Sequence, residues 1–179
     1  MTAKAAAIKQ LKRPTIELRP PSESDLHRLF EIQSDRASRE MAGYPERDWE
    51  AFQSHWEKNV VGSDAITRVI VIDGEMKREI VGQISLFSRD GLREVGYLIA
   101  RSHWGQGIAS IALKQFLSEV AERPIHAIVL PSNARSIRIL EKNGFTLAQK
   151  SDEIWTYEII SSSARSYPAA SPIDRTDRK

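Results

Sequence analysis

Residues 94–110 read EVGYLIARSHWGQGIAS, and this stretch decides the fold of the chain. Its first six residues favour a strand, Gly105 and Gly107 follow, and Leu113 and Phe116 then recur at helical spacing. A strand, a glycine loop and a helix are therefore predicted in succession. The free N–H groups of the first helical turn, together with the helix dipole, attract anions. The pattern predicts a phosphate site, although a plain tight turn before a helix accounts for the two glycines equally well.

The segment after the glycine loop predicts one crossover unit and a hairpin. A helix is predicted over residues 107–122, and the continuous apolar run of residues 125–130 is typical of a strand buried on both faces. Asn133 can cap the next helix, which Gly144 ends in the left-handed conformation. The closing hairpin is expected over residues 145–149 and 154–159.

The segment before the stretch predicts an antiparallel meander. Strands are expected over residues 68–72, 79–87 and 94–99, because β-branched residues concentrate there and Asp73-Gly74 and Asp90-Gly91 mark reversals between them.

Upstream of the meander, a strand and two helices are predicted. The strand covers residues 15–19, Ser22 or Ser24 can cap the first helix, and the second helix covers about residues 46–59. The whole pattern predicts an α+β fold, with a mixed, mostly antiparallel twisted sheet of about six to seven strands and helices on both of its faces.

The composition is that of one folded domain in water. The chain has 179 residues, of which 41% are hydrophobic and 28% charged, and its formal net charge is +2. No run approaches the roughly 20 apolar residues that cross a bilayer, and no secretion signal is present, so we expect a cytoplasmic protein without a membrane partner. Charges of both signs alternate along the chain, so no nucleic-acid partner is expected. The domain is expected over residues 14–159, between a leader, residues 1–13, and a flexible tail rich in Ser, Pro and Ala, residues 160–179.

Two known phosphate loops fit the glycine loop poorly. A dinucleotide fingerprint needs a third Gly or Ala where Ser110 stands, and an acidic residue at the end of the next strand, where Leu130 stands. A nucleoside-triphosphate P-loop needs a Gly-Lys-Ser/Thr ending, which the loop lacks. Both classes of nucleotide site are therefore disfavoured.

The order of elements together with this loop resembles the GNAT N-acetyltransferase superfamily over about residues 15–159. The run from Glu94 to Ile99, the loop Trp104-Gly105-Gln106-Gly107-Ile108-Ala109, and Asn133, Ser136 and residues 141–145 look like the branch that acetylates the N-terminal amines of ribosomal proteins. The superfamily's usual Arg or Gln at the first position of the pyrophosphate motif is Trp104 here. This departure leaves one cation fewer for the phosphates.

The resemblance implies acetyl-CoA as co-substrate. Its pantetheine arm is expected to run as a pseudo-strand beside Leu98 and Ile99, where neighbouring strands splay, and the Ile99 N–H to polarise the acetyl carbonyl. Asn133 leads the helix that borders the co-substrate in the family, but it is also an ordinary helix cap. The implied binding residues are Leu98, Ile99, Trp104, Gly105, Gln106, Gly107, Ile108, Ala109, Ser110 and Asn133.

Two residues are candidates for the chemistry. The absence of cysteine favours direct attack of an amine on the thioester over a covalent acyl-enzyme. Glu94 matches the position of a glutamate base in related enzymes, and is otherwise a solvated strand residue. Ser136 matches the residue that donates to the departing thiolate, and is otherwise part of the first turn of a capped helix. The acceptor is a peptide N-terminus or a small amine, and an α-amine near pKa ~8 loses its proton more readily than a lysine near ~10.4.

The remaining conspicuous residues predict no further chemistry. Trp49, Phe52 and Trp56, with Tyr44 ahead of them, lie where the family builds its acceptor pocket, but such aromatic stripes are most often core. The four histidines lack ligand spacing, so no metal site is expected.

Two questions stay open at the level of sequence. A non-catalytic module that binds acyl-CoA is the alternative to an enzyme, because the same loop serves both. No pattern fixes the oligomeric state, so a homodimer stays open.

Overall fold

Strands and helices follow one another largely as the hydrophobic pattern predicts. The computed structural model describes residues 15–73 and 78–160, so the predicted leader and residues 161–179 of the predicted tail lie outside the described residues. The strands are β1 Ile16–Arg19, β2 Ile66–Asp73, β3 Arg78–Arg89, β4 Leu92–Ile99, β5 Ile125–Val129, β6 Thr146–Lys150 and β7 Trp155–Ile159. The α-helices are α1 Leu26–Ser34, α2 Arg36–Ala42, α3 Trp49–Trp56, α4 Ile108–Glu119 and α5 Ala134–Lys142.

The seven strands form one sheet in the order β1-β2-β3-β4-β5-β7-β6. Strands β2, β3 and β4 make the predicted antiparallel meander. Strands β4 and β5 are parallel, since α4 crosses over between them, and β6 and β7 form the closing hairpin. The sheet is therefore mixed and mostly antiparallel, which confirms the predicted fold class.

Helices cover both faces of the sheet. Ile70 and Ile72 of β2 point toward the core under α4 and α5, where Phe116 is fully buried. Val69 and Val71, which alternate with them, pack against the aromatic face of α3, including Phe52. This alternation is the period of a strand buried on both faces.

Helix α2 was not expected from the sequence. Its residues 36–42 carry little apolar periodicity, so local capping defines the helix instead. The Asp35 carboxylate accepts a hydrogen bond from Ser38 N at 2.8 Å, and Gly43 ends the helix with φ of 70°. The prediction for the next helix was too long at both ends, because Asp48 caps α3 only before Trp49 and a π-helical turn, Glu57–Val61, follows it.

The end of α4 and the burial of β5 also differ from the prediction. Helix α4 ends at Glu119, and Val120 is already extended. Strand β5 is not buried on both faces, because Ile128 is 40% exposed. The helices on that face, α1 and α2, pack against β3 and β4 and leave this side of β5 open. In the part of the chain that the structure describes, no helix has the length and apolarity to cross a membrane.

Candidate active site

A cleft opens where β4 and β5 separate. The two strands share a single backbone pair, Glu94 with His126, and diverge beyond it. On their other sides the pairing continues, from Ile99 to Gly82 on β3 and from Val129 to Trp155 on β7. The edge of β4 from Val95 to Ile99 therefore faces a cleft of about 750 Å³ instead of a strand. Leu98 and Ile99 line this cleft, as the sequence predicts for the segment beside a bound pantetheine arm.

The glycine loop closes one end of the cleft with free backbone donors. Gly105 and Gly107 adopt φ of 78° and 79°, a left-handed conformation that favours glycine. A Cβ atom at either position would meet no protein atom within 4 Å, so conformation and not crowding selects glycine here. Gly107 precedes α4 without any side-chain cap, and Ile108, Ala109 and Ser110 line the cleft. The N–H groups of this first turn are suited to an anion.

Trp104 lines the cleft but its polar atom is already engaged. Its indole Nε1 donates a hydrogen bond of 2.8 Å to the Ile99 carbonyl, which ties the loop to the end of β4. The Arg135 guanidinium lies 5.2 Å from the centre of the indole ring, within cation–π distance. Arg135 thus brings a positive charge from α5 to the glycine loop. The cation that the loop lacks at position 104 is present nearby on another element.

Gln106 and Ser110 differ in their relation to the cleft. The Gln106 side chain is exposed, approaches the Ser102 carbonyl at 3.4 Å and does not line the cleft, so only its backbone can serve the predicted role. Ser110 lines the cleft, and its Oγ accepts a hydrogen bond of 3.2 Å from Asn143 Nδ2. This bond joins the first turn of α4 to the end of α5.

Asn133 is a helix cap, and both polar atoms of its side chain take part in hydrogen bonds. Its Oδ1 accepts from Ser136 N at 3.0 Å, and its Nδ2 donates to the Met41 carbonyl at 3.0 Å. The side chain therefore joins α5 to the end of α2 across the cleft that it lines. A ligand can still use the second lone pair of Oδ1.

Glu94 is a buried carboxylate at the apex of the cleft. It is 8% exposed, and its Oε1 lies 3.4 Å from Nη1 of Arg89. Burial raises the pKa of Glu94, although the positive charges of Arg89 and His126 oppose the shift. The residue is therefore not the solvated strand position that the sequence also allowed, and a raised pKa makes its carboxylate a stronger base.

Ser136 and Tyr97 form a hydroxyl pair on the opposite wall. Their oxygens lie 2.7 Å apart, which joins β4 to the first turn of α5. Burial raises the pKa of Tyr97 to about 12, so the phenol keeps its proton at neutral pH. The pair therefore offers one free proton donor to the cleft. The sequence analysis named Ser136 for this role, and the structure adds Tyr97 as its hydrogen-bond partner.

Tyr44, Phe87 and Arg89 surround the end of the cleft that contains Glu94. The Tyr44 hydroxyl lies 3.3 Å from the Cβ position of Gly96, so a side chain there would crowd it. The predicted aromatic stripe divides: Phe52 and Trp56 are buried in the core, while Trp49 stacks on His27 at 4.2 Å. Of the four aromatic residues in that prediction, Tyr44 alone lines the cleft.

The chain matches the family model of the acetyltransferase (GNAT) domain over residues 15–146. The chain belongs to the GNAT acetyltransferase family. Members of this family use acetyl-CoA as co-substrate, which confirms the expected co-substrate and supports an acyltransferase. The match does not extend to the ribosomal-protein branch that the motifs resemble. Among curated proteins, none matches the chain.

Solved structures share the GNAT fold at low sequence identity. A domain from Methanocaldococcus jannaschii DSM 2661 superposes with a TM-score of 0.71 at 23% identity, covering 83% of this chain and 99% of its own. The aminoglycoside acetyltransferase AAC(6')-Ib in complex with coenzyme A gives 0.69 at 20% identity, with 83% and 96% covered. Spermidine N-acetyltransferase from Vibrio cholerae, in complex with CoA and spermine, gives 0.68 at 17% identity, with 82% and 96% covered. At these identities the likeness establishes the fold.

Several residues of this GNAT domain's cleft carried no signal in the sequence. Arg89 stands at the end of a strand next to a turn, and cations at such positions are usually solvated. Arg135 sits within the Asn133 to Ser136 motif but at a position that the motif does not fix. The described residues contain no group of three or more His, Asp or Glu side chains suited to a metal ion.

Proposed function

We propose that this chain transfers an acetyl group from acetyl-CoA to a primary amine, by direct attack of the amine on the thioester in a ternary complex. One observation carries the proposal. The splayed edge of β4 lies between the uncapped N-terminus of α4 and the buried Glu94 carboxylate. One cleft therefore combines backbone donors for phosphates, an open strand edge for the pantetheine arm and a carboxylate for the proton.

The backbone supplies most of the binding site for the donor. The N–H groups of Ile108 to Ser110 are suited to the diphosphate of acetyl-CoA, with Arg135 as the nearby cation. The free edge of β4 beside Leu98 and Ile99 is suited to the amide-rich pantetheine arm, since an amide chain pairs with a strand edge as another strand does. With the arm beside these two residues, the thioester lies farther along the cleft, toward Glu94.

Glu94 and Ser136 handle the protons of this reaction. An amine attacks only as the free base, and Glu94 accepts the proton that the amine must lose. The new C–N bond forms as the C–S bond breaks, and the departing thiolate accepts a hydrogen bond from the pair of Ser136 and Tyr97. The second proton that the nitrogen loses reaches the sulfur through solvent and gives free coenzyme A. The absence of cysteine from the chain favours this single displacement over a cysteinyl intermediate.

The acceptor is a protein N-terminal α-amine or a small-molecule amine. The likeness of the motifs to the ribosomal-protein branch supports the first. An α-amine also requires less of Glu94 than a lysine side chain, because its pKa of ~8 is only about one unit above neutral pH.

The test combines binding and turnover. Calorimetry measures the affinity for acetyl-CoA, and release of free thiol is followed with peptides of varied N-terminal residue and with small amines, with products identified by mass spectrometry. Glu94→Gln and Ser136→Ala should keep the affinity and lose rate, while the exposed control Glu40→Gln should change neither. Tight binding of acetyl-CoA by the wild type without turnover of any amine would instead favour the non-catalytic acyl-CoA module.

A further inference from the structure

The charges that line the cleft are unevenly distributed between its two ends. Among the residues that the structure describes, the carboxylate, guanidinium, ammonium and imidazole side chains lining it are Arg89, Glu94, His103, Arg135, Arg138 and Lys142. Glu94 is the one carboxylate in this set. Arg135 lies on the Trp104 ring, and Lys142 precedes Asn143, which bonds to Ser110, so the cations of α5 belong to the phosphate end.

Arg89 is the cation at the opposite end. Five residues of strand separate Glu94 from Ile99, which corresponds to about 16 Å at ~3.3 Å per residue. Arg89 and Glu94 are therefore far from the phosphate loop and lie where an acceptor must approach the thioester. Burial and the charge of Glu94 raise the pKa of Tyr44, while the charge of Arg89 acts in the opposite direction.

The Arg89 guanidinium contacts Phe87 and Glu94 and can still bind another anion. Its Cζ lies 5.3 Å from the centre of the Phe87 ring, and its nearest carboxylate oxygen, on Glu94, is 3.4 Å away. The Arg89 side chain is 52% exposed, and an ion pair so accessible to water is weak. A second anion can therefore bind the outer face of the guanidinium, in the bidentate manner that carboxylates and phosphates prefer.

We propose that the acceptor of this enzyme is a primary amine that carries an anionic group within a few bonds of the amine, with Glu94 facing the amine and Arg89 binding the anion. This inference rests on the proposed amine acetylation and specifies its substrate class. The adjacent opposite charges of Glu94 and Arg89 complement the adjacent opposite charges of a zwitterion. A free α-amino acid and a peptide with an acidic first residue share this chemistry.

The same charges disfavour polycationic acceptors. An aminoglycoside or a polyamine carries several ammonium groups, each of which needs an anionic partner when it is desolvated. The described part of this cleft offers Glu94 alone, and Arg89 beside it repels a second ammonium group. This chain therefore differs from the structurally similar proteins whose names specify an aminoglycoside or spermidine.

The experiment compares acceptors that differ only in the anion. Each of the common amino acids is assayed beside its carboxamide and its decarboxylated amine, together with tripeptides that begin with Asp or Asn, and with spermidine and kanamycin. The best anionic acceptor should exceed its neutral counterpart at least tenfold in kcat/KM. Turnover of the free amino acids or of the Asp peptides identifies which source of the shared chemistry the enzyme uses.

Variants at position 89 test whether Arg89 causes the preference for anionic acceptors. Arg89→Gln should abolish the preference mainly through a higher KM for the anionic acceptor, Arg89→Lys should retain part of it, and Arg89→Glu should favour amines with a second ammonium group. Arg36→Gln, an 83% exposed arginine of α2, should behave as the wild type. Affinity for acetyl-CoA, measured by calorimetry, should be unchanged in all four variants.

Three results would overturn the inference. Equal turnover of each amino acid, its carboxamide and its amine contradicts a role for the anion. Preferred turnover of spermidine or kanamycin contradicts the predicted charge selectivity, as does an Arg89→Gln enzyme that loses activity equally toward all acceptors. Absence of thiol release with every amine, neutral and polycationic ones included, refutes the proposed amine acetylation itself.

Discussion

Glu94 on β4 and His126 on β5 form the single backbone pair between the two parallel strands, and the cleft begins directly beyond them. A pair at this point fixes how far the strands can separate, because β4 is held by β3 on one side and β5 by β7 on the other. The carboxylate of Glu94 is thereby placed at the apex of the cleft, buried and next to Arg89. The pairing of Glu94 with His126 therefore determines both where the cleft begins and where the candidate base lies.

The backbone conformation of the glycine loop predicts the effect of a single methyl group. Gly107→Ala should reduce stability by about 1–2 kcal/mol, because an alanine at φ of 79° is in the left-handed region. It should also weaken acetyl-CoA binding by about tenfold or more, since the loop shifts and the methyl group enters the cleft. Urea unfolding and calorimetry measure the two effects.

Gly91 provides a matched control for this prediction. It has φ of 78°, its Cβ position is equally open, and it lies in the β3–β4 turn outside the cleft. Gly91→Ala should therefore lose similar stability and keep its affinity for acetyl-CoA. Equal loss of affinity in the two variants would show that strain alone, and not the phosphate loop, explains the result.

The pH profile of the wild type should report Glu94. Protonation of the acceptor amine lowers kcat/KM below pH ~8 in every variant. Because a base acts when ionised and burial raises the pKa of Glu94, the wild type should show a second, acidic limb as the pH drops through a value above the usual ~4.3. Glu94→Gln should lose about 10²–10⁴-fold in rate and lose this acidic limb. The measurement is kcat/KM against pH at saturating acetyl-CoA, with circular dichroism confirming that the protein stays folded. An unchanged limb in Glu94→Gln would assign the proton transfer to another group.

Arg135 should contribute to donor affinity through charge. Arg135→Gln should weaken acetyl-CoA binding by about fivefold at low ionic strength, and the difference should shrink as added salt brings the Debye length below ~8 Å. A truncated donor that lacks the phosphates, the thioester of pantetheine, should bind both proteins alike. Lys114→Gln removes an exposed charge from α4 outside the cleft and should have no effect. An equal effect of Lys114→Gln would indicate net charge instead of a local contact.

The sequence predicts the sheet of this protein and helices α4 and α5, but it misses helix α2 beside the cleft. Alternating and continuous apolar patterns mark each strand of β2 to β5, because burial on a sheet imposes a short and regular period. Helix α2 depends instead on Asp35 and Gly43 at its two ends, and residues 36–42 pack through few apolar side chains. A prediction based on periodicity therefore misses α2. It also misses the position of Tyr44, which follows α2 in the chain.

Motifs and contacts differ in the same way within the site. Gly105 and Gly107 were found from the sequence because backbone conformation is a local property, and Glu94 became a candidate through the resemblance to related enzymes. The contact of Arg135 with Trp104 and that of Arg89 with Phe87 and Glu94 were not, since they join residues whose side-chain directions depend on tertiary packing. Exposed cations give no periodic signal, and their partners are visible only in three dimensions.

The hydrogen bond between Tyr97 and Ser136 predicts that the two residues act as a unit. Each single variant, Ser136→Ala and Tyr97→Phe, should lower kcat by about tenfold, because either change leaves the other hydroxyl without its 2.7 Å partner. The double variant should also lose about tenfold in kcat and not a hundredfold, since the effects of interacting residues are not additive. Steady-state kcat and acetyl-CoA affinity of all four proteins complete the cycle.

Tyr157→Phe is the control, because the Tyr157 hydroxyl lies outside the cleft and donates a hydrogen bond of 3.0 Å to Glu141. This variant should lose stability without a change in kcat. Fully additive losses in the double variant would mean that Ser136 and Tyr97 act independently.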